Sequence, residues 1–266
     1  MITSTSNQQM KQLSALVKKS KERKEKKLFV VEGTKMVAEA PKSWLRAVYV
    51  SESYEGNVEN RQLLDSIRKD AATFGYHYDV VADSVFKAVS DTQTPQGIMA
   101  LVTMPEYALE QLLDGDRTHL LVLESIQDPG NLGTMVRTGE GAGITGIIMN
   151  KTTVDLFNPK TIRSTMGSIY RVPFYITENL SQTLEDLREQ KVSLYAAHLK
   201  GQNSYDAENY QQACGFLIGN EGNGLSDEIA NLADTYIRIP MEGQVESLNA
   251  AISATLLMYE ANRQRR

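Results

Sequence analysis

The 266-residue chain is 41% apolar and 23% charged, enough to fill one large core or two medium ones and too little charge for a disordered chain. No uninterrupted apolar run reaches about 18 residues, so no membrane span is expected, and the N-terminus MITSTSNQQMKQ lacks the apolar centre of a signal peptide. One cysteine and three histidines cannot build an internal disulfide or a convincing zinc site, which points to a reducing cytoplasm and to no metal.

The net charge of −5 is unevenly spread. Residues 11–27, KQLSALVKKSKERKEKK, hold eight Lys or Arg against two Glu, a local +6 that leaves −11 on the rest. Such a segment reads either as a solvated helix face laced by Glu–Lys pairs or as a located contact for a polyanion.

In chain order, a helix is predicted near 6–20, a strand over 27–33, a helix over 34–40 and a strand over 45–51. NRQLLDSIRKDAATFG has helical period. YHYDVVA (76–82) and GIMALVTM (97–104) read as strands. After Pro105 the polar stretch EYALEQLLDGDRT ends in a turn signal. This divides the chain into a first α/β domain over 1–105, a linker over 106–117 and a second domain over 118–266. In the second domain, strands fit HLLVLES, ITGIIMN, RVPFYIT, VSLYAAH, GFLIGN and TYIRIP. Helices fit 131–140, 158–167, 180–190, 226–232 and 247–263. Alternation of buried strands with helices predicts a parallel sheet covered on both faces.

EGAGITG contains a literal G-x-G-x-x-G at Gly141, Gly143 and Gly146. A dinucleotide site needs strand, glycines, helix in that order. Here a helix precedes the glycines and a strand follows, so Gly141 and Gly143 read as the end of a helix. No G-K-[ST] follows any glycine run, which excludes a phosphate-loop NTPase.

Three segments carry the chemistry. In LVLESIQDPGNLGTMVRTGEGAG a buried strand ends at Glu124, a turn follows, Asn131 stands at a helix start either as cap or as functional residue, and Arg137 lies two turns on. In FLIGNEGNGLSDEI an apolar strand runs into Gly219-Asn220-Glu221-Gly222-Asn223-Gly224. A glutamate amid glycines is out of place in a phosphate cradle. In IRIPMEGQVESLNAAISATLLMYEANRQ a strand ends at Ile239-Pro240, and a loop leads to Ser247, Leu248 and Asn249 at a helix start. Leu248, Ile252, Leu256 and Tyr259 form an apolar stripe, either core or a dimer face, with Ser247 as a possible N-cap.

Together and in this order, these segments resemble the three signature motifs of the SpoU-type (TrmH-like) 2′-O-ribose RNA methyltransferases, over roughly 120–262. NPKTIRSTMGSIYRVPF is similar to a further segment of that family. VVEG (30–33) and TPQG (94–97) resemble the substrate-binding domain that many members carry in front. The resemblance implies a parallel-sheet α/β domain threaded into a trefoil knot, S-adenosylmethionine as cofactor and a homodimer formed through the C-terminal domain. It implies catalytic roles for Arg137, Asn131, Glu221, Ser247 and Asn249, and cofactor contacts from Gly219, Ile239 and Leu248, with Leu217, Ile218, Asn220 and His198 beside them. It further implies an RNA substrate, ribosomal rather than transfer RNA, contacted by Lys18, Lys19, Lys21, Arg23, Lys24, Arg163 and Ser164. A transfer RNA methyltransferase and a non-catalytic RNA-binding protein on the same fold are the alternatives. Glu221 is expected to pair with Arg137 or to orient Asn131. The S-adenosylmethionine sulfonium is a cation, so a nearby carboxylate is electrostatically tolerable. Trp44, His119 and Cys214 read as packing residues.

Overall fold

The computed structural model describes residues 1–266 and divides them into two compact units, Met1–Pro105 with Phe157–Tyr170, and Glu106–Leu156 with Arg171–Arg266. In the first unit α1 (Gln8–Lys18), α2 (Ser20–Lys26), β1 (Leu28–Glu32), α3 (Thr34–Glu39), β2 (Leu45–Ser51), α4 (Glu52–Gly56), α5 (Arg61–Phe74), β3 (His77–Val81), α6 (Asp83–Val89) and β4 (Ile98–Thr103) follow one another. Then come β5 (His119–Leu123), α7 (Pro129–Ala142), β6 (Gly146–Asn150), α8 (Pro159–Thr165), β7 (Phe174–Thr177), α9 (Leu180–Glu189), β8 (Ser193–Ala197), β9 (Asn203–Ser204), β10 (Cys214–Ile218), α10 (Asp227–Ala230), β11 (Thr235–Arg238) and α11 (Ala250–Gln264).

The first unit is built on a mixed sheet of order β1-β4-β2-β3, with β4 antiparallel to both neighbours. The apolar positions Met10, Leu13, Leu16 and Val17 recur at helical spacing and bury α1 against Val30, Ala47, Met99 and Leu101 of the sheet. The 157–170 segment, predicted within the second alternating series, packs here instead. The Phe157 ring lies 4.8 Å from Phe29, and the Tyr170 hydroxyl donates to the Met36 carbonyl at 2.9 Å.

The basic segment forms the end of α1 and all of α2. Lys18, Lys19, Lys21 and Lys24 are exposed. Arg23 is not: it is 3% exposed and donates to the Leu16 and Val17 carbonyls at 2.6 and 3.2 Å. Those carbonyls belong to the last turn of α1, where no intrahelical donor remains. Arg23 is therefore corrected from an RNA contact to a helix-end tie.

The second unit holds a fully parallel sheet of order β7-β6-β5-β10-β8-β11-β9, as the alternation predicted. β10 is buried throughout and lies between β5 and β8. Parallel neighbours end at the same edge, so the loops after β5, β8, β10 and β11 gather there. Gly143 caps α7 in a left-handed conformation (φ 74°) and Gly146 opens β6, so the apparent dinucleotide motif is a helix exit. α11 packs along α7, with Thr255 donating to Thr138 at 3.0 Å and Asn262 to the Ala142 carbonyl at 3.0 Å. Its buried positions are Ala251, Ala254, Leu257, Met258 and Ala261. Of the predicted stripe, Ile252 and Tyr259 are 50% and 41% exposed, so these two do not belong to the core.

His119 and Cys214 are buried neighbours on adjacent strands. Burial, then the nearby Arg265 guanidinium, pushes the His119 imidazole down to about 3, and its Nε2 has no hydrogen-bond partner. An unfolded histidine titrates near 6.5, so the unfolded chain binds the extra proton first and stability falls as pH drops from about 6.5 towards 3. At pH 5 this loss is about 2 kcal/mol. His119→Phe is expected to flatten the fall in Tm between pH 7 and pH 5. An unchanged pH profile would show that the imidazole is not the linked group.

Candidate active site

The candidate site grows from the loop after β5. Ser125 has a left-handed backbone (φ 57°), a conformation that costs a non-glycine residue about 1–2 kcal/mol. It is held there from three sides. Its amide donates to Asn150 Oδ1 at 2.9 Å. Its carbonyl accepts from Gln127 Nε2 at 3.0 Å and from Asn220 Nδ2 at 2.9 Å. The bend aims the Gln127 and Asp128 amides at the Glu221 carboxylate, which accepts them at 2.9 and 3.0 Å.

Asp128, not Asn131, caps α7. It accepts the Asn131 amide at 2.8 Å, with Pro129 at the first helical position. The Asn131 side chain is thus released from capping. Its Nδ2 donates to Glu221 Oε1 at 3.0 Å, and its Oδ1 accepts from Asn249 Nδ2 at 3.0 Å. The directions are dictated chemically: a carboxylate only accepts, so Asn131 presents its NH2 to Glu221 and its oxygen to Asn249. Asn249 must then donate, which leaves its own oxygen to cap α11 through the Ala251 and Ile252 amides at 2.9 and 3.3 Å. The N-cap of α11 is therefore Asn249 rather than Ser247. One chain of bonds joins all three motifs. Burial pushes the Glu221 carboxyl up, but the Asn131 side chain and the Gln127 and Asp128 amides outweigh it and hold the group below the usual carboxylate range.

Beside this chain lies a cleft of about 580 Å³, within the size range of small-molecule sites. Gly219, Asn220, Glu221, Ile218, Ile239, Ser247, Leu248 and His198 all border it. The Gly219 position is backed by the Gly224–Leu225 peptide: a Cβ there would lie 2.1 Å from Gly224 C and Leu225 N. Asn220 shapes the turn, accepting the Gly222 and Asn223 amides at 2.9 and 3.0 Å. His198 stands at the end of β8, its ring centroid 5.1 Å from that of Tyr236.

Leu217 departs from expectation. Side chains alternate along a strand, so it points into the core with Leu120, Val122 and Leu194 and does not border the cleft. Arg137 lies on the exposed side of α7, opposite the buried Leu132, Met135, Val136 and Gly139, and neither pairs with Glu221 nor borders the cleft. Arg163 pairs with Asp91 at 2.9 Å, and Ser164 donates to the Lys160 carbonyl at 3.0 Å, all within the first unit. Glu124 escaped sequence reasoning as a site residue. It accepts the Ser226 amide and hydroxyl at 2.8 and 2.7 Å and so anchors the far end of the glycine loop. Its signal was a carboxylate closing an otherwise apolar strand.

A parallel sheet with a cleft at its C-terminal edge, bordered by the second and third segments and tied to the first by the Asn131 bonds, matches one family throughout. The chain belongs to the SpoU rRNA Methylase family, whose model matches residues 118–259, and the MRM3-like substrate binding domain model matches residues 7–100. Over 260 residues it is 34% identical to the 23S rRNA (guanosine(2553)-2′-O)-methyltransferase RlmP of Bacillus subtilis, covering 97% of both chains. Among solved structures, the AdoMet-bound rRNA methyltransferase from Sinorhizobium meliloti superposes with a TM-score of 0.86 at 29% identity, covering 98% of this chain and 97% of that one. The SpoU methyltransferase AviRb from Streptomyces viridochromogenes gives 0.85 at 26% identity, covering 97% and 98%.

Proposed function

We propose that the chain is an S-adenosylmethionine-dependent methyltransferase acting on a ribose 2′-hydroxyl in large-subunit ribosomal RNA. The observation that carries this reading is the Asn249–Asn131–Glu221 bond chain beside the cleft. The substrate class is supported by the full-length similarity to RlmP and by the matched substrate-binding domain in front.

The cleft fits the cofactor. Ile218, Ile239 and Leu248 offer an apolar slot for an adenine, and the carboxylates of Glu221 and Glu246 border a place for a cation. When bound, S-adenosylmethionine supplies an electrophilic methyl group. The chain's residues position the acceptor. Glu221, held low by three donors, is a positioning residue rather than a base. Asn131 and Asn249 lock the loop that carries it. The exposed guanidinium of Arg137 is suited to clamp an RNA phosphate and to stabilise a forming alkoxide. The exposed Ile252 and Tyr259 on α11 support a homodimer through the second unit. The knotted path and a cytoplasmic setting, with no helix long and apolar enough to cross a membrane, complete the reading.

The test is methyl transfer from labelled S-adenosylmethionine to total RNA lacking modification, with Arg137→Ala alongside. Label is expected in large-subunit ribosomal RNA as an alkali-resistant dinucleotide, reduced at least about 100-fold in the variant. Label confined to transfer RNA would overturn the substrate. Full activity of the variant would overturn the role of Arg137.

A further inference from the structure

The first unit contains a second concave surface, of about 600 Å³, with basic residues on its rim. α1 covers only part of its sheet face. Beyond the glutamine side chains of Gln9 and Gln12 the face lies open, with Leu28, Ala47 and Leu101 as an apolar floor. Basic residues from three places, Lys26 and Lys27 at the end of α2, Arg46 of β2 and His77 of β3, stand on its rim. The Lys26–Lys27 pair, Arg46 and His77 are far apart in sequence, so the fold gathers these three groups. Two carboxylates stand nearby, Glu22, which offsets Lys26 at 3.3 Å, and Asp79, which accepts from Gln9 at 3.2 Å, so the cationic character of the rim rests on Lys27 and Arg46. Arg46 uses one guanidinium nitrogen on the Ser43 and Leu45 carbonyls. On the same surface the Thr103 hydroxyl is buried without a partner.

We propose that this groove binds RNA phosphodiester backbone, phosphates on the basic rim and a sugar or base edge on the apolar floor. The proposal rests on the RNA-methylating function above and assigns where the front unit grips its substrate. Charge complementarity carries it: a basic rim on a chain of net charge −5 is a located attraction for a polyanion. A cationic groove with an apolar floor is the combination that tracks a single-stranded or looped backbone. Such contacts position the RNA and confer little sequence choice, leaving selection to the accessible target nucleotide.

The experiment measures binding of an unmodified large-subunit ribosomal RNA transcript to the full chain over a salt series. Lys27→Gln/Arg46→Gln is compared with Arg61→Gln/Lys69→Gln, which removes the same charge from the exposed face of α5. The groove variant is expected to bind at least about tenfold more weakly. Its log–log salt slope should be shallower by about 1.4, the share of two phosphate contacts on a single strand. Its S-adenosylmethionine affinity and Tm should be unchanged. The α5 variant should bind within about twofold of wild type. Wild-type affinity and slope in the groove variant would overturn the proposal, as would an equal loss in both variants. Tight wild-type binding without methyl transfer would instead sink the function above, while the groove is judged on the binding figures alone.

Discussion

Gly219→Ala is expected to remove S-adenosylmethionine binding. The added methyl would meet Gly224 C and Leu225 N at 2.1 Å and Gly224 O at 2.3 Å. These are backbone atoms, so no side chain can swing aside to make room. They are also anchored: the Asn220 amide donates to the Gly224 carbonyl at 3.0 Å, the Gly224 amide returns a bond to the Asn220 carbonyl at 2.9 Å, and Ser226 is tied to Glu124. The loop must either break these bonds or push β10 out of register between β5 and β8. Overpacking of this kind costs about 3 kcal/mol. The strain falls on the cleft wall itself, so the expected outcome is a folded protein with S-adenosylmethionine Kd raised at least about 100-fold by calorimetry. Wild-type affinity would mean that the loop yields freely and that the close backbone packing is incidental.

Glu221→Gln is expected to lower kcat about 100-fold while leaving Tm within about 2 °C of wild type. The substitution keeps size and shape and changes only what the side chain can accept. Glu221 serves three donors, the Gln127 and Asp128 amides and Asn131 Nδ2. A glutamine puts an NH2 in place of one oxygen and opposes one of these donors. If it turns its NH2 towards Asn131, it also opposes the Asp128 amide, and Asn131 must flip to accept it, which sets the Asn131 NH2 against that of Asn249 and breaks the donation from Asn249. A displacement of about 1 Å at a reacting centre costs roughly 100-fold in rate, whereas an exposed loop contributes little to global stability. A pH profile separates positioning from a merely structural role. The carboxyl is held below its usual range, so the network persists in mild acid and is lost as pH falls through the folded value. Wild-type activity should therefore decline on the acid side, and Glu221→Gln should lack that limb. A variant with full kcat would show that the three motifs need no common acceptor.

Much of this protein was determined by local sequence. The alternation of strands and helices after residue 118 was legible because buried parallel strands are continuous apolar runs, such as HLLVL and CGFLI, separated by amphipathic helices. The helix exit at Gly143 was legible because left-handed positions select glycine. The three motif segments stood out because polar residues at the ends of apolar strands need a reason to be there. What only the tertiary structure decided concerns direction and partnership. Asn131 and Asp128 are both good caps, and the choice between them rests on Glu221, 90 residues further along the chain. Leu217 and Ile218 are equally apolar, and only the register of β10 sends one to the core and the other to the cleft. Arg23 sits in a lysine-rich run, yet the last carbonyls of α1 claim its guanidinium and bury it. Helical period left the stripe of α11 open between core and surface, and packing of α11 on α7 buries Ala251, Ala254, Leu257, Met258 and Ala261 while Ile252 and Tyr259 stay exposed. In each case the residue type was compatible with two environments, and long-range contacts between segments distant in sequence selected one.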